Sequence, residues 1–90
     1  MRTLPAGLTR YHRTPDFTEE TVPAGLLRDH KTKPGVWGVI HVLSGRLLYV
    51  IPSMDEEVVI DGGGTGVVIP EVPHHVTPQG PVRFHVEFWR

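Results

Sequence analysis

Ten glycines and nine prolines divide this 90-residue chain into apolar runs too short for helices. Proline fixes φ and removes a backbone donor, while glycine admits the positive φ that turns require. The runs left between them are Leu26–His30, Val36–Leu43, Arg46–Ile51, Val58–Ile60, Gly66–Ile69, His75–Thr77 and Val82–Trp89. They are rich in Val, Ile, Leu and aromatic residues and are spaced like the strands of a small sandwich or barrel. Ser44-Gly45 reads as a two-residue hairpin turn and Gly62–Gly66 as a looser one. Ahead of the runs, Pro5, Gly7, Pro15, Pro23 and Gly25 deny a long helix, so residues 1–25 read as an irregular arm with one short turn at Thr18–Thr21.

Two of the runs say which face is buried. In Val82–Trp89 the residues Val82, Phe84, Val86 and Phe88 alternate with Arg83, His85, Glu87 and Trp89. Such a strand turns one face to the core and the other toward water. In Val36–Leu43, Gly38, Ile40 and Val42 share one face, and Trp37, Val39, His41 and Leu43 share the other. Both faces are apolar, which predicts that the arm or a second subunit covers Trp37 on the outside. Ile40, Val42, Phe84, Val86 and Phe88 are the expected core around any interior pocket.

Size and charge narrow the functional classes. Ninety residues make one domain, 1–90, and bury only about 60–65% of the unfolded surface, so dimerisation would help a thin core. A formal net charge of −1 offers no field for nucleic acid or anionic lipid. The absence of cysteine excludes disulfides, thiol catalysis and cysteine-ligated zinc. No run approaches the roughly 20 apolar residues that cross a bilayer, and no signal peptide is legible, so a cytoplasmic location is expected.

The histidines carry the chemistry. Gly62–Gly66 leads into the strand-like Val67-Val-Ile-Pro70 and not into a helix, so it is no phosphate loop. Gly64, Pro70 and His75 stand in the spacing of the second sequence motif of the cupins, small β-barrels that often hold a metal through histidines. Val72 stands where that motif has glycine, and Gln79 where it has asparagine. His74 and His75 are neighbours on a strand and face opposite ways; the motif points to His75 as the interior one and leaves His74 at the rim. In the first cupin motif, counting back from Gly45, the usual glutamate position is Gly38, and His30 is the histidine nearest the usual pair. His30 and His75 are therefore the candidate metal ligands, with His85 a third; His41 and His85 otherwise read as outside the barrel. Three imidazoles would suit a divalent ion such as Zn, Fe, Ni or Cu with an open position. The expected ligand pocket comprises His30, Trp37, Ile40, Val42, His75 and Phe84. Arg28, Lys31 and Lys33 flank His30 and could draw an oxyanion.

Nearly the whole chain resembles the TehB/YeaR-like domain family, small cupin-like proteins linked by name to tellurite resistance. The resemblance rests on Tyr11–Leu26, on His30-Lys-Thr-Lys-Pro-Gly-Val-Trp-Gly38 with Val42–Leu47, on Ile69–His75 and on Phe84–Trp89. It implies an all-β, single-domain cupin-like double-stranded β-helix with an N-terminal arm, and it implies that His30 and His75 are the recurring histidines. It also implies a stress-response protein that binds a metal ion or small oxyanion in the barrel pocket. The alternatives are a homodimeric interaction module without catalysis and a metal-dependent oxygenase or isomerase. The missing glutamate at Gly38 counts against the enzyme. Some relatives carry this domain ahead of a methyltransferase; the resemblance covers the β domain alone, so methyl transfer is not implied.

Overall fold

The computed structural model of the protein describes residues 2–90. Six strands form one antiparallel sheet: β1 (Arg10–Arg13), β2 (Phe17–Thr18), β3 (Trp37–Ile51), β4 (Glu56–Asp61), β5 (Thr65–Val68) and β6 (His75–Trp89). Two single-turn 3-10 segments, Ala24–Leu26 and Pro52–Met54, are the helical structure, and no α-helix forms among the described residues. The all-β, single-domain expectation holds.

The frame is the pair of 15-residue strands β3 and β6, matched from Trp37↔Trp89 to Val50↔His75. The other edge of β3 takes β5 along Gly38–His41 and β4 along Arg46–Ile51. The free edge of β6 takes β1 and β2, so the arm contributes two short strands and is less irregular than expected. The run Leu26–His30 is not a strand: it begins at the last residue of a 3-10 turn and touches the sheet through the bridge His30↔His74.

Ser44-Gly45 is not a hairpin turn. It is a corner inside continuous β3, where the register against β6 slips between Val42 and Ser44 and again between Gly45 and Leu47. Gly45 sits at φ +78°. The same positive φ that closes a hairpin also makes a bulge that bends a strand without ending it, so the two are alike in sequence. The Gly62–Gly64 segment crosses the same corner: Gly62 N–H donates to the Gly45 carbonyl (3.0 Å) and Gly63 N–H to the Val42 carbonyl (2.7 Å). β4 and β5 thus follow β3 as one bent path, and β6 bends opposite them near Gln79–Pro81. The real reversal between β3 and β4 is Pro52–Asp55, where Asp55 takes φ +52°, a conformation acidic side chains tolerate.

Bending the sheet closes its inner face on itself. Leu47 and Phe84 have no exposed surface, and Ile40, Val42 and Ile51 have almost none. The alternation read in the last run holds: Val82, Phe84 and Val86 are buried, and Phe88 packs partly buried against them. Burying a side chain such as Phe84 stabilises by about 1.5–3 kcal/mol. On the outer face Trp37 is half-buried with Trp89 as its cross-strand partner, while Leu43 is exposed. The arm pairs beside β6 on the edge away from β3.

Candidate functional site

Between the inner face of the sheet and the segment from the arm to Val36 lies a cavity of about 650 Å³. That volume suits a small molecule. Ile40, Val76, Phe84 and Val86 form its floor, and Phe17 and Leu26 come over from the arm. Its polar lining comprises His12, His30, His74, Lys31, Lys33 and Arg90 with hydroxyl-bearing side chains; no carboxylate lines it among the described residues.

Backbone pairing brings two of the histidines together. His30 N–H donates to the His74 carbonyl (3.0 Å), and His74 N–H donates back to the His30 carbonyl (2.9 Å). The rings lie side by side, with centroids 4.2 Å apart and planes tilted by 56°. Each ring then uses the carbonyl two residues earlier: His30 Nδ1 meets Arg28 O at 3.0 Å, and His74 Nδ1 meets Val72 O at 3.1 Å. A carbonyl only accepts, so both Nδ1 atoms carry the proton, and in a neutral ring so held it is Nε2 that keeps the lone pair. Burial pushes the His74 ring below the ordinary histidine value; the Val72 carbonyl opposes this and the neighbouring His30 adds to it. His74 is thus neutral near pH 7, and Tyr49 packs edge-on against it (5.8 Å). Burial also pushes the Tyr49 phenol up to about 12, and its hydroxyl donates to Val67 O (2.9 Å).

The structure sorts the expected residues as follows. His30, Ile40 and Phe84 line the cavity, as do Lys31 and Lys33 of the basic cluster. Val42 is sealed in the core, Trp37 is on the outer face, and Arg28 is not in the lining. His75 does not line the cavity either: its Nδ1 pairs with Asp29 Oδ1 at 2.7 Å, half-exposed on the other side of the strand. The interior histidine is His74, which is 5% exposed. Parity along the strand carried that signal. His74 shares a face with Val72 and the buried Val76, whereas His75 shares one with Thr77. His12, stacked on Phe88 (5.8 Å), was also missed, because nothing in the irregular arm gives its side chains a predictable direction.

His85 and His41 lie on the outer face, as expected, yet His85 is only 8% exposed. The two rings stack at 4.9 Å, and His41 Nε2 bonds Glu87 Oε1 at 2.8 Å.

A single antiparallel sheet folded at glycine corners around a ligand-sized cavity, with histidines at its wall, defines a small cupin-like β protein. The TehB-like domain family matches residues 12–86, and the chain belongs to that family. A crystal structure of a protein from E. coli (strain K12) superposes with a TM-score of 0.92 at 25% identity, covering 100% of this chain and 97% of that one. TehB from Haemophilus influenzae gives 0.81 at 24% identity, covering 91% of this chain and 31% of TehB. A cupin-2 domain protein from Shewanella frigidimarina gives 0.57 at 14% identity, over 89% of this chain and 64% of that one, which shows the shared fold. No match was found among curated proteins.

Cupins often hold a metal with three histidines and a glutamate. The cavity offers paired imidazoles and, among the described residues, no carboxylate. The donors fit a two-nitrogen site, not the full set.

Proposed function

We propose that this protein binds a metal ion at His30 and His74 and an anionic ligand beside it, drawn in by Lys31 and Lys33. The observation that carries the reading is the locking of both Nδ1 protons onto backbone carbonyls, with neither Nε2 hydrogen-bonded to another described residue. This is how metal-ligating histidines are commonly oriented. An oxyanion alone would need hydrogen-bond donors, and a neutral ring protonated at Nδ1 offers none at Nε2. The lysines supply cationic donors at the same cavity, so the two halves suit different parts of one occupant. A metal there would offer open coordination positions to an anionic oxygen. The family's association by name with tellurite resistance makes tellurite and selenite the first anions to test, in a stress-response role.

Metal content of protein purified without chelators, measured by elemental mass spectrometry, tests the reading. It requires one equivalent of metal that is present in the wild type and in His75→Gln and missing from His74→Gln and from His30→Gln. Equal metal content in the wild type and both cavity variants would remove it. Calorimetry with tellurite and selenite, with and without Lys31→Ala/Lys33→Ala, tests the anion.

A second reading is an interaction module. Exposed Leu43, Val58 and Val59 favour it, Val58 and Val59 lying on the edge strand β4. A strictly monomeric state in sedimentation would reject homodimerisation.

A further inference from the structure

On the outer face of the sheet, His41, His85 and Glu87 bring three ligand atoms within 4.8 Å of one another. We propose that these three residues form a separate divalent-cation site of the zinc class, independent of the cavity.

The backbone places the donors. His41 and His85 are direct cross-strand partners on β3 and β6, and Glu87 stands two residues beyond His85 on the same face. β3 and β6 are flanked on both sides over this stretch, by β5 and by the arm strands, so the three positions are rigid. The rings lie nearly parallel, 20° apart in plane. Ligands carried on such strands are held more closely than ligands on loops.

The carboxylate is oriented from behind. Arg10 Nη1 on β1 donates to Glu87 Oε2 at 2.7 Å, which turns Oε1 toward His41. A second partner that fixes a ligand in this way is the usual support of a metal centre. Asp16 is occupied elsewhere: it takes Arg13 at 2.6 Å and Arg83 at 3.0 Å.

An ion-pair network explains Arg10, Glu87 and His41 but leaves His85 unexplained. Its side chain is 10% exposed, and its buried Nδ1 has no hydrogen-bond partner among the described residues. Asp16 Oδ1, at 3.6 Å from Nδ1, is too far. Buried polar groups are nearly always paired, so a buried imidazole without a partner calls for one. A cation shared with His41 and Glu87 supplies it. Two imidazole nitrogens and one carboxylate oxygen are a donor set that zinc accepts, with a fourth position left open.

Zinc titration by calorimetry on the full chain separates this site from the cavity. The background is the double variant His30→Gln/His74→Gln, which removes the interior donors. That protein is expected to bind one zinc, and adding Glu87→Gln and His41→Gln is expected to weaken binding by at least about 100-fold. Zinc should also shift the His41 and His85 ring signals in the NMR spectrum of the cavity variant, a readout that needs no outer-face mutant to fold. Absence of zinc binding by the cavity variant, binding that is indifferent to Glu87→Gln and His41→Gln, or unmoved ring signals would each overturn the proposal. Failure of the cavity reading alone would leave the outer site standing, with wild type and cavity variant binding the same single zinc.

Discussion

Gly45 packs so close to Pro81 that a β-carbon on it would lie 2.0 Å from the Pro81 carbonyl oxygen. The contact joins β3 to β6 where both strands bend, and backbone atoms cannot give way as a side-chain tip can. Gly45→Ala is therefore expected to destabilise by about 3 kcal/mol or more, combining left-handed backbone strain with overpacking. Gly63 also has positive φ, at +89°, but nothing lies within 4 Å of its added β-carbon. Gly63→Ala should cost only about 1–2 kcal/mol. Urea denaturation of both variants checks this; equal losses would mean that the corner contact carries no weight.

Acid should weaken the fold in two steps. Burial holds His74 and His85 below the ordinary histidine value of 6.5. Just below that pH the unfolded chain binds more protons at these rings than the folded chain does, so their contribution is complete above pH 6.5 and is lost as pH falls through the folded values. The slope is at most about 1.4 kcal/mol per pH unit for each ring. The second step comes below pH 4.5, where hydrogen bonds hold carboxyls down: Arg83 on Asp16 and Arg2 on Glu56. For Glu87, burial pushes upward, but Arg10 and His41 outweigh it. Thermal denaturation across the range should show the upper step in the wild type and a flatter one in His74→Gln. A wild-type profile level from pH 7 to about 5 would contradict the burial of these rings.

Phe17 anchors the arm over the cavity. Its ring meets Phe84 edge-on at 5.6 Å, and Phe17↔Phe84 are also register partners. Phe17→Ala should cost about 1–2 kcal/mol, less than a fully buried phenylalanine because Phe17 is only partly covered. The loss should be local. Hydrogen exchange should quicken at the Val86 amide, which Thr14 Oγ1 accepts at 2.9 Å, more than at Leu47 in the core. Uniform acceleration along the chain would show that the arm is not a separate unit.

His75 and His74 should behave differently despite being adjacent. The His75–Asp29 pair is half-exposed, and such pairs contribute about 1 kcal/mol or less. His75→Ala should leave stability nearly unchanged, whereas His74→Ala opens a void between His30 and Tyr49 and should cost about 2 kcal/mol or more. Comparable melting temperatures for the two variants would contradict the assignment of His74 to the interior.

Alternation made the last strand legible: Val82, Phe84 and Val86 went inside as a period of two requires. Parity also placed His41 and His85 on the outer face. What misled was punctuation. Ser44-Gly45 looks the same whether a chain reverses there or bends, because both need a residue with positive φ. The difference lies in what stands opposite, and Pro81 is 36 residues away in sequence. Motif spacing points to His75 as the interior histidine, but the parity that His74 shares with buried Val76 is what the fold follows.

By itself the sequence determined that this chain is all-β, which residues share a face in Val36–Leu43 and Val82–Trp89, and that histidine and carboxylate, not cysteine, are its metal-capable side chains. Those properties follow from backbone periodicity and composition, which are local. Tertiary structure decided which histidines meet. His30 reaches His74 through one reciprocal pair of backbone hydrogen bonds across 44 residues, and His41 reaches His85 because β3 and β6 keep a particular register. Register and loop closure depend on long-range packing of the whole sheet, and no run of neighbouring residues records them.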